Sequence, residues 1–171
     1  NIKLQSIKLP ENDIDVSVIN NSLDNDPIEV DPKLLSEKKE KGSYPTRVLI
    51  PELQIDVELI PAKVVSGKWK VFETAGSYGI GSSTPGSVGN TVIFAHARDG
   101  LFLPLKKAKD KTKIYILTEN RWYTYEVRDI KEVLPHDVSV VAPTEDETLT
   151  LYTCTGFADS KRLIVTAKRL G

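Results

Sequence analysis

From Tyr44 to the C-terminus, the apolar residues fall into short β-branched or aromatic runs. They occupy residues 47–50, 54–60, 69–74, 91–95, 113–117, 122–127 and 131–134, with Gly, Pro, Asn and Asp between them. Two further runs, residues 148–154 and 162–167, close the chain. Val, Ile, Thr, Tyr and Trp suit a pleated, half-buried surface. About nine short strands at this spacing leave little room for long helices, and they argue for an all-β sandwich or barrel. Only residues 102–108, Phe-Leu-Pro-Leu-Lys-Lys-Ala, suggest a helical turn or two. Trp69, Trp122 and the tyrosines read as packing residues.

The last two runs specify more than their existence. In the first, Leu149, Leu151 and Thr153 share one face, while Thr150, Tyr152 and Cys154 share the other. In the second, Leu163, Val165 and Ala167 alternate with Arg162, Ile164 and Thr166. A period of two is that of a strand. The short polar link at residues 155–161 makes the pair an antiparallel hairpin. Cys154 then ends one strand where Arg162 opens the next, which places a thiol beside a guanidinium at a sheet rim.

Composition narrows the class. A chain of 171 residues is long enough for one ordinary domain with its own core. The net charge of −1 implies no broad basic field, so no nucleic-acid partner is expected. A single Cys excludes both a disulfide framework and a Cys-rich zinc site. No carboxylate cluster suggests calcium, and neither metal nor cofactor is expected. There is no signal-peptide pattern and no apolar run of about 18 residues. The chain lacks Met and begins at Asn1, so it is expected to be a piece of a longer product. Any membrane anchor would then lie upstream.

Residues 1–43 differ from the rest. They hold no aromatic residue, and six Lys against nine Asp or Glu give them a net charge of −3. Ile14, Val16 and Val18 alternate as a short strand would. Asp31-Pro32, residues 33–41 and then Gly42 have the cap, first turn and stop of a short helix. The expected division is an N-terminal arm or spacer at 1–43 and a β domain at 44–171. The segment is open to two readings: a solvated spacer, or an arm that docks on the domain and limits access to its site.

A lone Cys more often packs as a small buried hydrophobe than does chemistry. An Arg beside it at a rim needs a reason. A His completes a possible set. Gly86-Ser87-Val88-Gly89-Asn90 turns into Thr91-Val92-Ile93-Phe94-Ala95-His96, so His96 ends a strand on the face of Val92 and Phe94. Strand-end His residues are usually ordinary rim residues. His136, in Leu134-Pro135-His136-Asp137, reads as solvated surface. No Ser stands in a nucleophile-elbow pattern, which disfavours a Ser-His-Asp reading. A thiolate is a nucleophile that a neighbouring cation favours. An imidazole can pass protons between a leaving and an entering amine. Arg presents a permanently charged planar fork of donors that suits an oxyanion or substrate carbonyls.

With these residues in place, the chain resembles the sortases, the cysteine transpeptidases of bacterial cell surfaces. The family motif Thr-Leu-x-Thr-Cys stands here as Thr150-Leu151-Tyr152-Thr153-Cys154, the family Arg as Arg162 before Leu163-Ile164-Val165, and the family His as His96. Ala95 stands where many members carry Gly. The resemblance spans roughly residues 44–170, and the first 43 residues have no part in it.

The resemblance implies a closed, roughly eight-stranded β-barrel with short helical turns and the site at one rim. It implies that Cys154 attacks a sorting signal similar to Leu-Pro-x-Thr-Gly and that a thioacyl enzyme forms. The acyl group then passes to an amine from a cell-wall precursor or a pilin lysine. The implied partners are surface proteins or pilins bearing a C-terminal sorting signal. The implied location is the outer face of the bacterial membrane. Residues 134–147 would shape the sorting-signal groove, with Leu134, Val141, Ala142 and Thr153 as expected substrate contacts. Taken alone, that segment reads equally as a polar connection. The alternatives are a sorting-signal hydrolase and a non-catalytic surface peptide-binding β-module.

Overall fold

A computed structural model describes residues 27–31 and 43–171. Eight strands close into a barrel: β2 (Pro45–Ile50), β3 (Ile55–Ala62), β6 (Gly76–Gly79), β7 (Gly89–Phe94), β8 (Lys113–Thr118), β9 (Trp122–Val133), β10 (Glu147–Thr155) and β11 (Lys161–Arg169). Their order round the barrel is β10-β11-β9-β8-β2-β3-β6-β7. Three two-residue strands, β1 (Ile28–Glu29), β4 (Val64–Val65) and β5 (Lys68–Trp69), form a small sheet of order β1-β5-β4. A 3-10 turn at Leu103–Lys107 fills the position expected for a short helix.

Two apolar clusters follow from the period of two. Leu149, Leu151, Leu163, Val165, Ile93 and Ile116 point into the barrel. Val92, Phe94, Tyr152 and Ile164 occupy the alternate positions of β7, β10 and β11, and they pack outside it against Trp69, Val140, Val141 and Ile28. Both faces of these three strands are therefore covered, and a fully buried aliphatic or aromatic side chain contributes about 1.5–3 kcal/mol.

Three expectations need correction. Residues 122–127 and 131–134 are not two strands but one, β9. Arg128 to Glu132 are exposed, and residues 128–130, which read as a break, stay extended within the ladder. Beside it a bulge between Thr166 and Ala167 shifts the register with β11. Of residues 69–74 only Trp69 is in a strand, and it belongs to the small sheet. Trp69 is fully buried, stacks on Phe94 with centroids 5.7 Å apart and donates its indole N–H to Ile80 O at 3.0 Å. Trp122 is 66% exposed and stacks on Tyr115 at the surface. Strand β6 was missed because Gly bounds it at both ends. Gly79 is required there, since a Cβ would lie 2.6 Å from the Trp69 ring.

The expected strand over residues 14–18 and the helix over 33–41 lie outside the described residues. Within the proposed arm, β1 pairs with β5, and Ile28 and Val30 are each 4% exposed.

Candidate active site

Strand direction decides which ends meet. β7 and β10 are parallel, so residues just after Phe94 and the end of β10 reach the same rim. β11 runs antiparallel to β10, with Cys154 directly opposite Arg162. The outer-face alternation carries past Phe94 to His96, past Tyr152 to Cys154 and back from Ile164 to Arg162. All three residues line one pocket, together with Ile28, Val71 and Tyr152. His96 and Arg162 are each 3% exposed and Cys154 is 9% exposed. The structure thus brings together the three residues that the sequence singles out. His136 is exposed in the turn beyond β9.

Backbone and side-chain bonds fix this rim. Ala95 N donates to Tyr152 O at 3.3 Å, and Phe102 N to His96 O at 3.0 Å. Thr153 also lines the pocket, but its hydroxyl donates to Ala95 O at 2.7 Å, tying the Cys strand to the His segment. Arg162 Nη1 donates to Asp159 O at 2.7 Å and to Lys161 O at 3.0 Å. The guanidinium is therefore anchored on the loop that joins its strand to that of Cys154 and on the first residue of its own strand. That loop holds Gly156 at φ 80°, Ala158 at φ 51° and Asp159 at φ 56°. Two non-Gly residues in the left-handed region cost backbone energy that the surrounding contacts must offset.

The charges facing the rim include one that sequence reasoning missed. Glu73 Oε1 lies 4.0 Å from His96 Nε2, and Glu73 Oε2 accepts from Arg98 Nη1 at 2.5 Å. The bond from Arg98 holds the Glu73 carboxyl below the usual carboxylate range. Glu73 lies in a run that reads as a strand by composition, so no local pattern marks it. Burial pushes the Tyr152 hydroxyl up to about 12, against the opposing charge of Arg162.

The expected groove residues are spread out. Leu134 is 59% exposed at the start of the β9–β10 connection. Val141 is 2% exposed within the outer cluster, and the half-buried Ala142 ends the 3-10 turn Val138–Val141. Neither Leu134, Val141 nor Ala142 is among the residues lining the pocket. Among the described residues no group of three or more His, Cys, Asp or Glu side chains could hold a metal ion.

The sequence model of the family described as Sortase domain matches residues 48–170. The chain belongs to the sortase family. Sortase A of Streptococcus agalactiae serotype III (strain NEM316) is 29% identical in an alignment of 133 residues, with 71% of this sortase and 51% of that protein covered. This sortase therefore spans about half the length of that curated relative. Sortase A from Corynebacterium diphtheriae superposes with a TM-score of 0.65 at 28% identity, covering 91% of this chain and 80% of that one. Sortase C1 from Streptococcus agalactiae gives a TM-score of 0.66 at 26% identity over 78% of this chain and 71% of that one. The closed eight-stranded barrel is the sortase fold, and no described helix is long and apolar enough to cross a membrane.

Proposed function

We propose that this sortase is a cysteine transpeptidase that cuts a Leu-Pro-x-Thr-Gly-like sorting signal and transfers the acyl part to an amine. The observation that carries the reading is the register of Cys154 with Arg162, beside His96 on the neighbouring parallel strand. The Cys154 sulfur attacks the carbonyl carbon of the signal's threonine. The peptide C–N bond breaks, and His96 gives a proton to the leaving amine. A thioester to Cys154 remains. An incoming amine loses a proton to His96 and attacks the thioester. The new amide forms as the C–S bond breaks and the thiolate returns. Arg162 donates to the oxygen on which negative charge develops, the kind of contact that lowers such barriers most.

The natural substrates on this reading are surface proteins or pilins with a C-terminal signal, at the outer face of the membrane. On the same reading the chain divides into an N-terminal arm or spacer at 1–43 and a catalytic barrel at 44–171. Ile28, among the described residues of that segment, lines the pocket and so covers part of the path to Cys154. Incubation with sorting-signal peptides, with and without amines, tests the reading by product mass. An amide adduct supports it, and a shortened acid with no adduct indicates a hydrolase. An unchanged peptide indicates a binding module and refutes it.

A further inference from the structure

We infer that Asn90 is a positioning residue that sets the affinity of the groove for its peptide without touching the peptide. The inference rests on the transpeptidase reading of the site. Asn90 lies at the start of β7, directly opposite Thr148 of β10, and is 4% exposed. Its side chain meets two other segments. Nδ2 donates to Val140 O at 3.2 Å and to Ala142 O at 3.0 Å, both in the β9–β10 connection. Oδ1 accepts from Thr150 Oγ1 of the Cys strand at 2.7 Å. One amide therefore uses both donors and an acceptor, and the hydroxyl of Thr150 sets which way it faces.

The connection has few other ties. Among the described residues, the other hydrogen bonds of residues 134–143 close within that segment: Asp137 N to Leu134 O, Val138 N to His136 O, Ala142 N to Ser139 O and the bonds of Asp137 with Ser139. What joins the turn to the barrel is the Asn90 amide and the packing of Val140 and Val141 against Phe94, Tyr152 and Ile164. Phe94 and Tyr152 also line the pocket of Cys154. Apolar packing is non-directional and lets a turn slide, whereas two bonds from one planar amide fix its height along β7. The same amide is linked to Thr150, four residues before the nucleophile. The connection, packed behind the pocket-lining Phe94 and Tyr152, and the nucleophile's strand thus share one reference point. Alanine removes the donors, and aspartate sets an acceptor against two carbonyls.

Asn90→Ala, Asn90→Asp and Thr150→Val are compared with the unaltered chain by peptide kinetics, by hydrogen exchange and by the rate at which iodoacetamide alkylates Cys154. In Asn90→Ala, exchange in residues 138–142 should rise about tenfold or more, the effect of an unmatched buried polar group. Exchange in β10 and β11 should stay as it was. KM should rise about tenfold, with kcat and alkylation rate within about threefold. Asn90→Asp should match or exceed these effects, and Thr150→Val should give a smaller change of the same kind. If Asn90→Asp fails to fold, Asn90→Ala and Thr150→Val carry the comparison. Unchanged exchange at 138–142, uniform acceleration across the barrel, or a loss in kcat at constant KM would overturn the inference. If the unaltered chain cleaves no peptide, the transpeptidase reading fails, and the exchange data still decide what Asn90 holds.

Discussion

Replacing Arg162 by Lys keeps the charge at the rim and removes the planar fork. In the structure one arm of that fork is already in use, since Nη1 bonds to Asp159 O and Lys161 O. The other donors of the guanidinium are held at a fixed angle by that anchor. A lysine ammonium can bond to the loop carbonyls or reach toward the substrate, but it offers no second set of donors in the same plane. Losing one well-placed oxyanion donor costs on the order of 100- to 1,000-fold in turnover, which is about 2.7–4 kcal/mol of barrier. The effect on stability is smaller. Asp159 and Lys161 are exposed, so their freed carbonyls find water, and the cost sits near the low end of about 1–3 kcal/mol. For a domain of this size that is a fall in Tm of about 2–4 °C per kcal/mol. Arg162→Lys and Arg162→Ala should therefore fold, melt slightly early and lose similar, large factors in peptide cleavage. Retention of most activity by Arg162→Lys would refute the donor-fork role and leave Arg162 supplying only a positive field.

Three other outcomes are expected. His96→Ala should lose cleavage nearly as completely as removal of the thiol, whereas the exposed His136→Ala should stay within about twofold, as surface changes usually do; the reverse order in a peptide assay would mean the wrong His. Deleting residues 1–43 removes Ile28 from the pocket and uncovers Trp69, so peptide cleavage should rise or Tm should fall, each buried aliphatic being worth about 1.5–3 kcal/mol; no change in either quantity would make the arm a plain linker. Burial holds the Tyr78 and Tyr152 hydroxyls up at about 12, above the ordinary tyrosine range, so the folded state keeps protons that the unfolded state loses. Their contribution is complete below about pH 10 and is lost as pH rises toward about 12. Denaturant titrations should show that decline, flattened in Tyr78→Phe; an unchanged slope would contradict the assignment.

The barrel was legible because its central strands obey a strict alternation with turn residues at their ends. The hairpin register of Cys154 with Arg162 and the placement of His96 on the outer face both follow from that period. What was not legible depends on contacts between distant segments. Gly76 and Gly79 hide β6, because the need for Gly79 comes from the Trp69 ring. Residues 128–130 of β9 read as a break between two strands, and the ladder with β11 keeps them extended. Glu73 and Asn90 were missed for the same reason: one is a surface carboxylate and the other a turn residue until the fold sets them against His96 and the β9–β10 connection. Ile28 falls in the net-acidic segment 1–43, and its pairing beside Trp69 brings it to the pocket.

On the transpeptidase reading, Cys154 carries the acyl group. Intact-protein mass after mixing with a sorting-signal peptide, quenched by acid within the first turnovers, tests it most directly. One adduct is expected, with the mass of the N-terminal peptide fragment, located on Cys154, lost on adding an amine and absent in Cys154→Ala. Turnover of the peptide by Cys154→Ala, or an adduct on any other residue, would contradict it.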